Sequence, residues 1–349
     1  MDRHARNSAM NPNSVYIIAE LSANHGHKLE NALASVRAAK DSGADAIKIQ
    51  TYTADTITLD CDNEFFQIKQ GTIWDGATLY KLYKEAYTPW EWHAPIRDEA
   101  ARCGIEFFST PFDHTAVDFL EGLDVPLYKI ASFEINDTTL IEYTASKGKP
   151  MIISTGIATL SDIEEAVNTC RRVGNHDITL LKCTSQYPAK PEDANLLTIP
   201  NLAQTFGVAV GLSDHTMGSA VAIASVALGA KVIEKHFILD RAIGGPDASF
   251  SMTPDEFKQM VEGVRVAEKA LGKVSYELTE KTKRSREFSR SLFVAENMKA
   301  DEMFTERNLR SVRPGFGLHT RYQKELLGKK AARDIVKGTP MNWVLVKSI

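Results

Sequence analysis

The sequence predicts an α/β protein in which a closed (β/α)8 barrel, of the TIM type, is followed by a small C-terminal domain. Three observations favour this fold class. Eight short apolar runs recur between residues 15 and 238, helical segments separate them, and nearly every run ends in polar side chains. Alternating strands and helices are typical of parallel sheets, and eight repeats over this length favour a barrel over an open sheet.

The predicted strands follow one another along the chain. They are residues 15–21, 46–52, 106–111, 127–132, 151–156, 178–184, 208–215 and 231–238. The helices between them carry ordinary start and stop signals, such as Pro89 in a first turn and Gly104 after a last one. Further helices are predicted at 29–42, at 163–173 after Ser161, and from Pro254 to Leu271. We expect these helices to be scaffold.

One connection is much longer than the others. Residues 53–87 lie between the second and third predicted strands and contain Phe65, Phe66, Trp74, Tyr80 and Tyr83. A connection of this length in a compact domain usually covers a functional site. We expect that role here, with an oligomer contact as the alternative.

The chain divides into four predicted segments. Residues 1–14 resemble a flexible leader, 15–275 form the barrel, 276–290 form a charged linker, and 291–349 form the second domain. Short strands are predicted in that domain at 291–294, 304–307, 311–317, 329–335 and 337–340. A domain of this size has a marginal core of its own, so we expect it to dock on another surface.

Composition excludes several kinds of partner. The chain has 349 residues, 43% of them hydrophobic, and a formal net charge of −4. This charge indicates neither nucleic acid nor an anionic membrane as a partner, and no apolar run is long enough to cross a bilayer. The four cysteines lack CxxC or zinc-ribbon spacing, so we expect reduced thiols and a cytoplasmic protein.

The last two predicted barrel strands each carry a histidine at their carboxyl end. Alternate side chains of a strand share a face, so Ser213 pairs with His215 and Glu234 pairs with His236 on neighbouring strands. Two imidazoles at one point suit Mn, Fe, Co or Zn, and with water they can hold Mg. The alternative is a pair of hydrogen-bonded histidines under a loop.

Polar side chains end nearly every predicted strand, and in a barrel all these ends open on one face. Separate buried polar groups would each cost about 1–3 kcal/mol if unpaired, so a shared polar ligand is the simpler explanation. Lys48 and Lys129 are the lysines expected to face inward and bind an anion. Glu20 and Glu234 are placed to move protons or orient water, with a salt bridge to those lysines as their alternative.

A set of ordered motifs resembles the sialic acid synthase family. The motifs are AELSANH at 19–25, IKIQT at 47–51, FSTPF at 108–112, YKIAS at 128–132, ISTG at 153–156, KCTSQYP at 182–188, GLSDHT at 211–216, EKHF at 234–237 and GPD at 245–247. The tail, with VRPGFG at 312–317 and KGTP at 337–340, resembles the antifreeze-like (SAF) domain of that family. The resemblance covers nearly the whole chain after residue 14.

The resemblance implies a reaction and roles for further residues. Members of the family condense phosphoenolpyruvate with an acylamino sugar and release phosphate by C–O cleavage, with a divalent metal, Mn or Mg, polarising the sugar aldehyde. The metal would be bound by His215 and His236. Residues expected to bind phosphoenolpyruvate are Lys48, Thr110, Lys129, Ser132, Ser154, Ser185 and Ser213, and residues expected to bind the sugar are Gln50, Glu134, Tyr187, Asp247 and Phe288.

Two further expectations come from the same resemblance. Arg313 in the tail domain is expected to bind the sugar in the active site of a second subunit, which implies a domain-swapped homodimer. Ser185 departs from the family pattern, because members that form neuraminate have Asn at this position. The shorter side chain suggests altered substrate or phosphate contacts.

Segments 72–76, 87–93, 244–248 and 317–319 most resemble the members that use 2,4-diacetamido-2,4,6-trideoxy-L-altrose. Members that form N-acetylneuraminate or legionaminate are the alternative. Two other classes stay open from the residues. A Schiff-base aldolase with Lys48 or Lys129 as nucleophile leaves the histidines unexplained. A non-catalytic carbohydrate-binding protein leaves the polar strand ends unexplained.

Overall fold

The computed structural model describes residues 14–69, 71 and 74–347. Apart from Ser14, the predicted leader lies outside these residues, and so do Thr72 and Ile73 of the long insertion. The chain forms two compact units, of which the first ends at Gly272 and the second begins at Lys273.

Eight parallel strands close into a barrel in the first unit. They are β1 (Tyr16–Glu20), β2 (Ala46–Thr51), β3 (Glu106–Pro111), β4 (Tyr128–Ile130), β5 (Met151–Ser154), β6 (Ile178–Cys183), β7 (Ala209–Asp214) and β8 (Val232–His236). Their order around the barrel follows the chain, and β1 pairs with β8 to complete it. The predicted fold class is therefore confirmed.

Several strands are shorter than predicted at their carboxyl ends. The predicted strand 127–132 contains only Tyr128–Ile130, because the chain turns into a 3-10 helix at Ser132–Glu134. Likewise, β8 ends at His236 although its apolar run continues to Ile238. An apolar run marks burial, whereas a strand ends where hydrogen bonding to its neighbour stops.

Helices surround the barrel and bury their apolar sides against it. In the first unit they are α1 (Leu29–Asp41), α2 (Ala54–Ile57), α3 (Leu79–Ala86), α4 (His93–Cys103), α5 (His114–Gly122), α6 (Thr138–Ala145), α7 (Leu160–Arg172), α8 (Thr198–Phe206), α9 (Ala220–Ala227) and α10 (Pro254–Leu271). The core combines strand residues such as Ile17 and Ile153 with helix residues such as Val36 and Val264. Burial on both faces explains why the strands are continuous apolar runs. Within the described ranges, no helix has the length and apolar character to cross a membrane.

Helix α7 begins earlier than predicted. The predicted helix 163–173 after Ser161 is wrong at its start, because the helix begins at Leu160 and Thr159 is its N-cap. The Thr159 hydroxyl accepts a hydrogen bond from the Asp162 N–H, and the Asp162 carboxylate accepts one from the Thr159 N–H. This reciprocal capping box satisfies two backbone donors, which a lone serine cap does not.

The long insertion contains two short helices, α2 and α3. Their N-caps, Thr53 and Thr78, each accept a hydrogen bond from a backbone N–H of the first turn. Tyr83 of α3 packs edge-on against Tyr52, which directly follows β2, with 5.7 Å between the ring centroids. The insertion is therefore attached to the carboxyl end of the barrel.

The second unit has a small core of its own. It contains α11 (Glu280–Ser285), α12 (Gln323–Leu326) and an antiparallel pair of strands, β9 (Ser291–Val294) and β10 (Leu309–Val312). Leu292, Phe304 and Leu326 are buried in this core.

Most of the strands predicted in the tail are wrong. Residues 304–307, 329–335 and 337–340 form turns or isolated bridges instead of strands. Gly328 and Gly338 adopt positive φ angles and turn the chain, which breaks up extended runs. The predicted strand 311–317 lies partly in β10, which ends at Val312, because Pro314 has no N–H for a ladder.

Candidate active site

The carboxyl ends of β7 and β8 bring two histidines together in the mouth of the barrel. Ser213 and Glu234 are register partners, and the Ser213 hydroxyl donates to Glu234 Oε1 at 3.3 Å. His215 and His236 lie two residues after Ser213 and Glu234, and the centroids of their rings are 5.3 Å apart. Side-chain alternation therefore produces the pairing that the sequence predicts.

Two lysines and two carboxylates are buried in the same mouth. Lys48 Nζ lies 2.6 Å from Glu20 Oε2 and 3.9 Å from Glu234 Oε1, and Lys129 Nζ lies 3.9 Å from the same Glu234 oxygen. All four side chains are at most 8% exposed. Buried charges are stable only when they are paired, so each of the four depends on the others. The salt-bridge alternative for the two carboxylates describes their contacts in this structure.

Burial and pairing shift the pKa values of these four groups in different directions. Burial raises the pKa of Glu20 more than Lys48 lowers it. Burial also opposes ionisation of Glu234, but Lys129 and Lys48 outweigh it and lower the pKa of Glu234. Burial lowers the pKa of Lys129, whereas at Lys48 the two carboxylates outweigh burial and raise the pKa. Glu234 is therefore the carboxylate that stays ionised, and Glu20 takes a proton more readily.

Hydroxyl side chains contact both lysines. Lys48 Nζ donates to Thr110 Oγ1 at 3.2 Å, and Lys129 Nζ donates to Ser154 Oγ at 2.7 Å. Buried ammonium groups with hydroxyls beside them provide several donors within one small volume. Such a pocket suits an anionic ligand.

A second pair of hydroxyls lies beside the turn that follows β5. Ser132 Oγ and Ser185 Oγ are 2.7 Å apart, and the Ile157 N–H donates to Ser132 Oγ at 3.1 Å. A Cβ at Gly156 would lie 2.1 Å from Ser185 Oγ and 2.6 Å from Ser132 Oγ. Only glycine therefore lets the backbone approach these hydroxyls so closely.

Two of the predicted sugar-binding residues contact the charged groups directly. Gln50 Nε2 donates to Glu20 Oε1 at 2.9 Å and to Ser22 Oγ at 3.0 Å. Asp247 is buried, and its Oδ2 lies 3.8 Å from His236 Nδ1. Burial raises the pKa of Asp247, although its hydrogen bond with Ser22 opposes the shift.

Glu134, a third predicted sugar-binding residue, has an enclosed and unpaired carboxylate oxygen. Its Oε2 atom is buried and has no hydrogen-bond partner. Burial raises the pKa of Glu134 to about 7, even though Lys129 favours the ionised form. A carboxyl group in this state can donate a hydrogen bond to a ligand near neutral pH.

An aromatic wall, made of Trp74, Tyr187 and Phe250, stands next to the histidines. The Tyr187 ring packs against His215 with 4.5 Å between centroids, and Trp74 and Phe250 lie 5.5 and 5.3 Å from Tyr187. Trp74 belongs to the long insertion, and its indole N–H donates to the Pro246 carbonyl at 3.2 Å. The insertion thus reaches the loop that carries Asp247, as expected for a segment that covers the site.

The two remaining predicted sugar contacts, Phe288 and Arg313, belong to the second unit. Phe288 is 70% exposed and Arg313 is exposed as well. Their roles stay predictions, as do the roles assigned to the residues of the barrel.

Three further residues, Ser22, Cys183 and Trp74, contact the predicted site residues. Ser22 has a left-handed backbone conformation, with φ 46°, and its hydroxyl contacts Gln50. Cys183 Sγ lies 3.9 Å from both His215 Nδ1 and Ser185 Oγ. Strand parity is a signal for Cys183, because it shares a face with Ser185. Trp74 carries no such signal, since the path of its loop depends on tertiary contacts.

His215 and His236 fit the ligand set of a divalent metal. Nδ1 of His215 lies 3.0 Å from the Thr184 carbonyl oxygen, so Nδ1 must donate there and Nε2 keeps a lone pair. His236 Nδ1 is buried without a hydrogen-bond partner, and burial holds the pKa of this ring well below its usual value. Among the described residues, no group of three His, Cys, Asp or Glu is assembled for a metal. Two imidazoles suit a metal whose other ligands are substrate and water oxygens.

The two rings differ in how firmly they hold a proton. Burial opposes protonation of His215, but Cys183 and the Thr184 carbonyl outweigh it and raise the pKa of His215. A metal at this ring therefore competes with a proton.

The first unit is thus a (β/α)8 barrel whose strand ends carry a buried cationic pocket and two adjacent imidazoles, which is the arrangement of a barrel enzyme. Comparison with known proteins identifies the family. The NeuB family pattern matches residues 35–276, and the SAF domain pattern matches residues 289–347. The chain belongs to the NeuB family, and the resemblance inferred from the motifs is confirmed.

Similar proteins cover nearly the whole chain. A pseudaminic acid synthase of Campylobacter jejuni is 52% identical over 324 residues, which make up 93% of this chain and 94% of that protein. A pseudaminic acid synthase of Helicobacter pylori is 48% identical over 93% of this chain and 96% of its own length. The crystal structure of an N-acetylneuraminic acid synthetase from Leptospira borgpetersenii, in complex with citrate, aligns with a TM-score of 0.70 and 32% identity. The alignment covers 78% of this chain and 90% of that one.

We expect Glu134→Gln to stabilise the protein above neutral pH. Burial raises the pKa of Glu134 to about 7 in the folded state, against 4.5 for an ordinary Glu. Between these values the folded state holds a proton that the unfolded state has lost, so stability falls as the pH rises. Glutamine does not titrate. The free energy of unfolding of E134Q should therefore equal that of the unmodified protein near the pKa of an ordinary Glu, and should exceed it by up to about 3 kcal/mol above the pKa of Glu134. Denaturant unfolding across this pH range measures the difference.

Glu142→Gln is the control, because Glu142 lies on α6 and is exposed. Its free energy of unfolding should change little at any pH. A gain for E134Q that is the same at all pH values would contradict the raised pKa.

Proposed function

We propose that this protein synthesises pseudaminic acid by condensing phosphoenolpyruvate with 2,4-diacetamido-2,4,6-trideoxy-L-altrose. The products are a nine-carbon 2-keto acid and inorganic phosphate. The observation that carries the proposal is the 52% identity to a pseudaminic acid synthase over 93% of the chain. Synthesis of N-acetylneuraminate or legionaminate is the second candidate, supported by an N,N'-diacetyllegionaminic acid synthase of Legionella pneumophila at 35% identity.

Lys48 and Lys129 are proposed to bind the carboxylate and phosphate of phosphoenolpyruvate. Both ammonium groups are buried, and a cation binds an anion more strongly in a partly dry pocket than in water. Five hydroxyl side chains complete the proposed pocket, namely Thr110, Ser132, Ser154, Ser185 and Ser213.

His215 and His236 are proposed to hold a divalent metal, and the family resemblance favours Mn or Mg. When bound, this metal supplies Lewis-acid polarisation of the sugar aldehyde. Asp247, whose Oδ2 lies 3.8 Å from His236 Nδ1 without a hydrogen bond, is proposed to contact the sugar.

Glu234 and Glu20 are proposed to move the protons. C3 of phosphoenolpyruvate forms a bond to the aldehyde carbon, which leaves an oxocarbenium-like centre at C2 and an alkoxide on the sugar. Glu234, which Lys129 and Lys48 keep ionised despite its burial, accepts a proton from the water that attacks C2. Glu20, whose pKa is raised by burial, supplies a proton to the alkoxide. Phosphate then leaves by cleavage of the bond between its ester oxygen and C2, the departing phosphate oxygen takes the proton of the C2 hydroxyl, and a 2-keto group remains.

A phosphate-release assay tests this reaction. With phosphoenolpyruvate, Mn and the diacetamido-altrose, we expect phosphate to form in step with loss of the sugar. Omitting any one component should stop the release, and so should His215→Ala or His236→Ala. Faster release with N-acetylmannosamine would favour the second candidate. Borohydride trapping with pyruvate is the control for a Schiff-base aldolase, which would be labelled at Lys48 or Lys129.

The aromatic wall is proposed to select the sugar. Its three rings, Trp74, Tyr187 and Phe250, lie beside the proposed metal ligands, where the aldehyde would be held. The diacetamido-altrose has a methyl group at C6 and two acetamido methyls, whereas N-acetylmannosamine has hydroxyls at C4 and C6. Apolar groups bury well against aromatic faces, and unpaired hydroxyls do not.

Trp74→Ala should therefore weaken discrimination between the two sugars. Loss of one apolar contact is worth about 1–3 kcal/mol, so the ratio of kcat/KM values should fall about tenfold or more. Steady-state kinetics with both sugars measures this ratio. Trp74→Phe keeps a ring and is the matched control. An unchanged ratio in the alanine variant would contradict the proposed selection.

The protein is proposed to act as a domain-swapped homodimer in which Arg313 and Phe288 bind sugar held by the partner's barrel. Both side chains are exposed on the second unit. Several large apolar side chains are exposed where the chain leaves β4 and β5, namely Phe133, Ile157 and Leu160. Exposed apolar surface of this kind marks a protein contact.

Subunit mixing distinguishes a site shared between subunits from one made within a subunit. His236→Ala and Arg313→Ala should each be inactive alone, but a mixed dimer has one site with both native residues. When the two variants are co-expressed, about a quarter of all active sites should therefore have both native residues and be active. Arg321→Ala is the control, because Arg321 is an exposed arginine of the same unit. Mixed dimers without any activity would contradict the swap.

The domain limits are part of the same proposal, with a barrel at 15–275, a linker at 276–290 and an SAF domain at 291–349. A cytoplasmic location is proposed as well. The free state of Cys61, Cys103, Cys170 and Cys183 supports a reducing compartment.

A further inference from the structure

A buried ion pair lies directly behind the two proposed metal ligands. Asp214 precedes His215, Lys235 precedes His236, and the two charged residues are register partners on β7 and β8. Lys235 Nζ lies 2.6 Å from Asp214 Oδ2, and the side chains are 2% and 1% exposed. This pair has no role in the reaction proposed above.

Thr216 completes the hydrogen bonding of the pair. Lys235 Nζ also donates to the Thr216 carbonyl at 2.6 Å. Asp214 Oδ1 accepts from the Thr216 N–H at 3.0 Å and from the Thr216 hydroxyl at 2.8 Å. Asp214 and Thr216, the sequence neighbours of His215, are therefore both hydrogen-bonded to Lys235. Lys235 is in turn the residue before His236.

The pair faces away from the reacting groups. Ser213 and Glu234 contact each other among the lysines of the barrel mouth, and alternate residues of a strand point to opposite faces. Asp214 and Lys235 therefore lie on the outer face of β7 and β8. Neither side chain can touch a substrate held inside the barrel.

Stability alone does not explain a buried ion pair here. Apolar residues of similar volume often hold two strands together as well as a buried pair does, because both charges must be removed from water. A charged pair with directional hydrogen bonds restricts geometry in a way that apolar packing does not. The Asp214–Lys235 pair should therefore act on the positions of the neighbouring residues.

We propose that Asp214, Lys235 and Thr216 are positioning residues that set the spacing of His215 and His236, whose ring centroids are 5.3 Å apart. The inference rests on the proposed metal site. By linking the ends of β7 and β8 on their outer face, the three residues hold both imidazoles side by side, where they would bind one divalent ion. Supporting residues of this kind change metal affinity about 10- to 100-fold when they are replaced.

The test compares Mn binding with folding in the full-length protein. In the double variant Asp214→Leu/Lys235→Met, we expect a Tm close to that of the unmodified protein and a Kd for Mn about 10- to 100-fold weaker. Titration calorimetry measures the Kd, and electron paramagnetic resonance of bound Mn reports a changed coordination geometry. Unchanged Mn affinity in a folded double variant would overturn the proposal.

A control ion pair lies at the other end of the barrel, where both of its side chains are partly exposed. Lys149 and Glu121 precede β5 and β4, with 2.7 Å between Lys149 Nζ and Glu121 Oε1. Lys149→Met/Glu121→Gln should leave the Kd for Mn unchanged. An equal loss of Mn affinity in this control would show a general effect of stability and would overturn the positioning role.

Single changes at Thr216 decide the matter if the double variant does not fold. Thr216→Val removes the hydroxyl and should weaken Mn binding, whereas Thr216→Ser keeps the hydroxyl and should restore it. Equal Mn affinity in both would overturn the proposal. Mn binding that survives His215→Ala and His236→Ala would overturn the metal site itself, which separates that failure from a failure of the positioning residues.

Discussion

The buried charge cluster in the barrel mouth is the constraint on which the rest of the site depends. Glu20, Lys48, Lys129 and Glu234 come from four different strands, and each needs an opposite charge within a few ångströms. Loss of one charge would leave its partner buried and unpaired, which costs about 3–5 kcal/mol. Only a closed barrel with the correct register brings these four residues together. The charged groups of the site therefore come together only when the sheet closes into the barrel.

The last two strands of the barrel, β7 and β8, carry different polar groups on their two faces. On β7 and β8, the inward residues Ser213 and Glu234 belong to the pocket, and the outward residues Asp214 and Lys235 join the strands. Binding residues and supporting residues therefore alternate along the sequence. On the outer face the Asp214 and Lys235 side chains satisfy each other, whereas on the inner face Glu234 Oε2 and His236 Nδ1 are buried without a hydrogen-bond partner.

The two sides of the pocket differ in chemistry because they come from different parts of the barrel. The strand ends supply the cationic side with its hydroxyl donors, while Trp74 and Phe250 supply rings that pack on Tyr187. A pocket with one charged and one aromatic side matches a pair of substrates of which one is strongly anionic and the other carries methyl groups.

The sequence by itself determined the barrel and the pairing of His215 with His236. Both follow from local periodicity, because apolar runs mark buried strands and alternation decides which side chains share a face. Only the tertiary structure decided which lysine lies closest to Glu20, and that Ser22 and the Trp74 ring join the site. These features depend on contacts between residues far apart in the chain. Local periodicity carries no information about such contacts, since their geometry exists only after the barrel has closed.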